Sequence, residues 1–472
     1  MMCVIRSSSC NDPDWGQRTT GGARARFSEV KGRAGMVSAV LALCVLVVAT
    51  YSHAAVAQPR PVSSHAVGVL TVTFVDHSRA TPANGDQPEL PYRTLATTIW
   101  YPARGNGTTS APVQGPAPDR SGGPYPLIVF AHGLGATPQS YAALLGRWAA
   151  AGYVVAAPRF PLTSTNAPGG LNPGDVFNQP GDLSYVITSV LQASAESNGT
   201  LSGLVDPHEI GVAGHSDGAI TTLGFFNTCC RDPRVEAAEI LDGDPEAYPA
   251  GHYVFNGNPP MLIVHGTADA LLSYGQMVGV FNSAKGPKGL LALKGAGHSN
   301  WIAPTSKWFT SALQSTTDFF NAYLRGNKTA LARISKDGQP GVSTMYFAPN
   351  SRSRLTIPLP PQPKTDLHAT VSPSTNLFSG QTVTIRWSGY LPGKTVNIVE
   401  CSSDSAAGCD IAAGSILTPD PTGTGTATLT IVEGKVGTGI CDADHSGCQI
   451  AVNDAGLETP SATVRIPITF AS

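Results

Sequence analysis

The chain has 472 residues, a formal net charge of −2 and 13% charged side chains, about half the usual share. A near-neutral balance gives no grip on nucleic acid or on an anionic membrane surface, and neither is expected as a partner. With 42% hydrophobic residues and abundant Gly, Ser, Thr and Pro, the composition is that of an exported globular protein longer than one ordinary domain.

The first 57 residues read as a leader and secretory signal peptide. Basic residues cluster between positions 24 and 33, an apolar core runs over 37–49, and Ala55-Val56-Ala57 makes a small-residue cleavage signature before Gln58. The stretch before Met36 is long for such a leader, so Met36 is an alternative start. About thirteen strongly apolar residues are too few to span a bilayer comfortably, so stable membrane insertion is not expected. Of nine cysteines, Cys3, Cys10 and Cys44 lie in the leader; the even number left suits an oxidising compartment, and a secreted protein is expected. No Cys/His spacing matches a zinc site and no Gly-rich phosphate loop occurs, so neither metal nor organic cofactor is expected.

Over residues 66–350 strand-like runs alternate with helical patterns, which predicts an α/β fold with a mostly parallel sheet covered by helices on both faces. Residues 126–131 form a strongly apolar strand running into His132-Gly133-Leu134-Gly135, and a helix follows over 141–150. After a strand at 153–157 comes Phe160, a candidate pocket wall, and then a loop over 163–182 that reads either as a lid or as a surface connection. Asp206-Pro207 reads as a turn and 210–213 as a buried strand leading into Gly214-His215-Ser216-Asp217-Gly218. Ala219, Ile220, Leu223, Phe225 and Phe226 then supply an apolar helix.

A Gly-x-Ser-x-Gly pentapeptide alone is a weak signal in a chain with 51 glycines. Between a strand and a helix it is stronger, because a nucleophile on so tight a turn needs neighbours without Cβ atoms. Two further apolar runs end in the residues that would complete a triad in the order Ser, acid, His. The run from Pro260 ends in Asp269, and the run from Leu290 ends in His298, with Trp301 just beyond as a second candidate pocket wall. Residues just past the carboxyl ends of parallel strands gather along one edge, so Ser216, Asp269 and His298 are expected to meet. Asp242 and Asp244 follow another run at 237–241 and compete as the acid; Asp269 is preferred because its strand is stronger. The backbone N–H groups of Leu134 and Asp217 are the expected oxyanion-hole donors. Cys229-Cys230 could form a strained vicinal disulfide, pair with nothing or flank a buried turn; a structural role is favoured.

After residue 350 the pattern changes. Residues 351–365 are Pro-rich, an expected extended linker, and 366–472 carry short period-two runs between Gly-, Pro- and Asp-rich turns, the pattern of an all-β, immunoglobulin-like sandwich. Since the expected catalytic residues all lie before the linker, the sandwich is expected to be dispensable for the chemical step.

Two resemblances sharpen these expectations. Residues 92–102, the His132-Gly133-Leu134-Gly135 turn, Asn178-Gln179-Pro180-Gly181-Asp182, the Ser216 pentapeptide and His265-Gly266-Thr267-Ala268-Asp269 together resemble the α/β-hydrolase branch of platelet-activating-factor acetylhydrolases, chlorophyllases and dienelactone-hydrolase-like esterases. The resemblance covers roughly residues 67–350 and implies the same triad and oxyanion hole. Dienelactone hydrolases proper use a cysteine nucleophile; Ser216 in that place implies ester rather than lactone chemistry. The C-terminal segment resembles the neocarzinostatin-type domain through Ser379-Gly380-Gln381-Thr382-Val383, Leu391-Pro392-Gly393-Lys394-Thr395-Val396, the loops Cys401 to Cys409 and Cys441 to Cys448, and Gln449-Ile450-Ala451-Val452. In that family a cleft between sheet and hairpins holds an aromatic enediyne, and the resemblance implies that each short loop is closed by a disulfide. The expected function is thus a secreted serine carboxylester hydrolase with a hydrophobic or amphipathic ester substrate. A serine peptidase with the same triad, or a small-molecule sequestration protein working through the sandwich, is the alternative.

Overall fold

A computed structural model of the chain describes residues 65–105, 112–269, 271–359, 366–390, 396–404, 408–410, 414–417, 423–453 and 463–471. The expected leader and signal peptide at 1–57, residues 360–365 of the Pro-rich run and Leu391 to Thr395 lie outside these residues.

Ten strands form the main sheet: β1 (Ala66–Asp76), β2 (Arg93–Ala103), β3 (Val113–Gln114), β4 (Tyr125–Ala131), β5 (Val154–Arg159), β6 (Val205–His215), β7 (Val235–Leu241), β8 (Met261–Gly266), β9 (Lys288–Leu293) and β10 (Ser343–Ala348). Their spatial order is β3-β1-β2-β5-β4-β6-β7-β8-β9-β10. The six strands from β5 to β9 in this order are mutually parallel, while β1, β2 and β10 supply antiparallel edges. The helices are α1 (Ala142–Ala150), α2 (Gln179–Ala195), α3 (Asp217–Leu223), α4 (Tyr274–Ser283), α5 (Phe309–Tyr323) and α6 (Lys328–Ile334).

All seven residues of β4 are buried, because parallel strands are covered on both faces. Leu127 and Val129 join a core with Leu183, Val186 and Ile187 of α2 and Met277 and Phe281 of α4. Ile128 and Phe130 point the other way, into a core with Leu145 and Trp148 of α1 and Phe319 and Phe320 of α5. That two-sided cover is why the strands read as continuous apolar runs rather than as alternating ones.

Three local expectations are refined. Asp206-Pro207 lies inside β6, where the β4 register shifts between Tyr125 and Leu127, and the Asp206 carboxylate accepts the His208 N–H as in a turn. The 178–182 motif does not precede α2 but opens it, with Pro180 in the first turn, where a missing N–H costs nothing. The start of the Pro-rich run is not a free spacer: Ile357 is buried against the α/β core, and the Asn282 side chain on α4 both donates to Ile357 O and accepts from Ile357 N, each at 2.8 Å.

Beyond it lie β11 (His368–Ser372), β12 (Thr382–Ser388), β13 (Val396–Cys401), β14 (Ser415–Leu417), β15 (Gly425–Thr430), β16 (Gly434–Val436), β17 (Gly439–Cys441), β18 (Gln449–Asn453) and β19 (Thr463–Pro467). They form a three-stranded sheet β11-β12-β15, a four-stranded sheet β14-β13-β18-β19 and a β16-β17 ribbon. Val383, Ile385 and Trp387 of β12 meet Ile398, Ile450 and Val452 across the sandwich core. Disulfides join Cys401 to Cys409 and Cys441 to Cys448 as the short loops implied, and Cys229 to Cys230. Strands β11, β14, β16 and β17 carry no clear period-two run and were not expected.

Candidate active site

Strand β6 delivers Ser216 to the turn before α3, at φ 59° and ψ −125°, a left-handed conformation that costs a non-glycine residue on the order of 1–3 kcal/mol. The turn is held by Ser216 N donating to Leu241 O and by Ser216 O accepting from Ala219 N and Ile220 N. Its tightness explains the flanking glycines. A Cβ on Gly214 would sit 2.0 Å from Gly218 O, and one on Gly218 would sit 2.1 Å from Ala131 O.

His298, in the loop after β9, reaches Ser216: Nε2 is 2.8 Å from the Ser216 Oγ, and Nδ1 is 2.7 Å from Asp269 Oδ2. The Asp269 Oδ1 accepts the N–H groups of Leu271 and Leu272, and His265 Nε2 lies 3.4 Å from Oδ2. Burial would raise the Asp269 carboxyl, but the two histidines, by hydrogen bonding and charge, hold it well below the usual carboxylate range. Burial pulls the His298 imidazolium down, and the Asp269 carboxylate more than offsets this, so His298 holds its proton more tightly than an ordinary histidine. Asp242, the competing acid, is engaged elsewhere: Oδ1 accepts from Gly266 N at 2.7 Å and Oδ2 from the Trp301 indole.

Leu134 and Asp217 line the same cavity as Ser216, and among the described residues neither backbone N–H has an acceptor. The turn that aims Leu134 is braced by a residue whose role the sequence did not disclose. Phe160 N donates to His132 Nε2, so His132 carries its proton on Nδ1 and donates it to Gly133 O at 2.8 Å. Burial pushes the His132 pKa down to about 4, which keeps it neutral. A trans peptide points the Leu134 N–H away from the Gly133 O that His132 holds, so fixing the oxygen fixes the donor. His215 was also missed. Its Nε2–H donates to His298 O at 2.9 Å, its Nδ1 is 2.9 Å from the Tyr141 hydroxyl, and that hydroxyl accepts from Gly133 N. The histidine loop and the Leu134 turn are thereby tied together.

The cavity measures about 440 Å³ and has an apolar wall in Val176, Phe177, Ile220 and Leu272. Phe160 and Trp301 are not part of it, correcting the pocket-wall expectation: both are fully buried. Phe160 packs beside the His132 ring, and Trp301 points its indole N–H back at Asp242 beneath His215. The 163–182 segment does border the cavity, through Pro173, Val176 and Phe177, as a fixed wall. Arg93, fully buried at the start of β2, makes paired hydrogen bonds to both Asp175 and Asp182 beneath it.

Order and orientation of the strands, with a serine on the sharp turn after β6, make the first part of the chain an α/β-hydrolase fold, followed by an all-β sandwich. Comparison with known proteins agrees with both parts. Residues 96–166 match the family model described as platelet-activating factor acetylhydrolase, isoform II, and residues 369–470 match that of the neocarzinostatin family. No curated protein matches the chain. Among solved structures, a ferulic acid esterase from Streptomyces cinnamoneus aligns at 23% identity and a TM-score of 0.44, over 58% of this chain and 93% of that one.

Proposed function

We propose that this protein is an exported serine carboxylester hydrolase in which Ser216 is the nucleophile, His298 the general base and acid, and Asp269 the residue that orients and stabilises the imidazolium. The observation that carries the reading is the continuous relay from Asp269 through His298 to the Ser216 hydroxyl, at 2.7 and 2.8 Å. His298 takes the hydroxyl proton as Oγ attacks the ester carbonyl, and the Leu134 and Asp217 N–H groups receive the developing oxyanion. Collapse expels the alcohol, which takes the proton from His298, and leaves an acyl-enzyme on Ser216. Water activated by the same histidine then releases the acid. The matching acetylhydrolase family supports an ester substrate, and the apolar wall supports a hydrophobic one.

Replacing Ser216 by Ala is expected to lower kcat on p-nitrophenyl esters by about 10⁶-fold and to abolish fluorophosphonate labelling without disturbing folding. Labelling that survives the replacement rules out Ser216, and cleavage of peptide amides at rates matching the esters would favour a peptidase. Export is supported by three disulfides among the described residues and by the neocarzinostatin-family match. No helix among the described residues is long and apolar enough to cross a membrane. N-terminal sequencing of protein collected from culture medium is expected to begin at Gln58; intact leader there would overturn this part of the reading.

A further inference from the structure

The cavity at Ser216 is not built by the α/β domain alone. Asn397 and Val399 of β13, with Ser415 at the start of β14 and Gly414 before it, line the same space as Ser216 and His298. We infer that this sandwich face is the roof of the ester-binding pocket and that Asn397 and Val399 determine which esters fit. The inference rests on the reading of Ser216 as nucleophile.

Strand periodicity identifies the face. Val396 and Ile398 point into the sandwich's own core, so Asn397 and Val399 point the opposite way. Here Val399 is 3% exposed and Ala451, its partner on β18, is 0% exposed. The two pack with the Cys401–Cys409 disulfide into a small apolar cluster. That cluster holds Val399 in place, and where Val399 borders the cavity it offers an apolar contact to a substrate bound at Ser216. Asn397 adds an amide whose side chain has no hydrogen-bond partner among the described residues, a donor and an acceptor available to one polar group of the substrate. Both parts belong to one compact unit, Arg60–Ser472, and the chain leaves the α/β domain from a fixed point, because Ile357 is anchored on α4. The substrate class is therefore an ester with a bulky, largely apolar group reaching from Ser216 to β13. A short acetyl ester would leave the roof untouched.

The test uses full-length protein with Asn397→Trp, which fills the roof, and Val399→Ala, which widens it. Each is assayed on two ester series, one graded in acyl size and one in alcohol size, and read as the ratio of kcat/KM for the largest ester to that for the smallest. Asn397→Trp is expected to lower this ratio about tenfold in at least one series, and Val399→Ala to raise it severalfold in the same series, in keeping with the 10- to 200-fold worth of small changes in pocket size. Arg386→Ala, on the exposed face of the other sheet, is the control and is expected to leave the ratio unchanged. A ratio within twofold of wild type for both pocket variants overturns the inference, as does an equal shift in the control. If Asn397→Trp fails to fold, Val399→Ala decides alone. Failure of the nucleophile reading is distinguishable, since it would appear as unaltered ester hydrolysis in Ser216→Ala.

Discussion

Asp269 and Asp242 are both buried carboxylates at strand ends, and their hydrogen bonds give them different work. Asp269 faces the His298 Nδ1, whereas Asp242 braces Gly266 N and the Trp301 indole. Replacing Asp269 by Asn is therefore expected to lower kcat by about 10⁴-fold through the wrong tautomer, while Asp242→Asn acts mainly on stability. The pH profile provides a second readout. The base form of His298 is neutral, so activity is lost as pH falls through its pKa, which Asp269 holds above the ordinary value of about 6.5. In Asp269→Asn the raising partner is gone, and the acid limb of kcat/KM is expected to move to lower pH. An unmoved limb would assign it to another group. The sequence placed the three residues at strand ends in the right order, but it could not choose among Asp242, Asp244 and Asp269 by contact. It also gave no sign of His132 and His215 as braces, since the residues they hold are identified only by the folded backbone.

At the scale of elements, the wall of the cavity depends on an ion-pair cluster. The turn over 173–178 and the start of α2 are pinned to β2 by Arg93, whose guanidinium is fully buried between Asp175 and Asp182. Removing one partner of such a cluster leaves uncompensated buried charge, at a cost of about 3–5 kcal/mol. Arg93→Met is expected to lower the thermal midpoint accordingly. It should also raise KM more than it lowers kcat, because Val176 and Phe177 lose their fixed position while Ser216, His298 and Asp269 keep theirs. Thermal melts and ester kinetics on one preparation check both, and an unchanged KM would show that the wall does not depend on Arg93. From sequence, 163–182 could be read as a lid or as a surface connection, since the residue that fixes it lies more than 80 positions from Asp175 and Asp182.

For the whole molecule, the disulfides divide unequally. Cys401–Cys409 and Cys441–Cys448 each close a short loop in the sandwich, worth roughly 2–4 kcal/mol apiece, whereas the adjacent Cys229–Cys230 pair restrains almost no chain. Reductant is thus expected to lower the unfolding midpoint of the sandwich more than that of the α/β domain, followed by tryptophan fluorescence and circular dichroism. Equal sensitivity would mean that the vicinal pair supports the α/β core. Because β13 lines the cavity, removing the sandwich is expected to spare hydrolysis of a small soluble ester and to weaken that of a bulky one.

What the sequence determined by itself was local: the runs that become β4, β6, β8 and β9, the glycines without which the Ser216 turn cannot close, the short cysteine loops and the change of period after residue 350. Each is written in neighbouring residues, where propensity and steric exclusion act within a few positions. The tertiary structure decided what depends on residues far apart in the chain: which carboxylate meets His298, why Phe160 and Trp301 face the core and not the cavity, and how Arg93 turns a loop into a wall. It also decided that Asn397 and Val399 of β13 line the same cavity as Ser216. No periodicity can encode that placement, because it is set by the packing of one folded part against another.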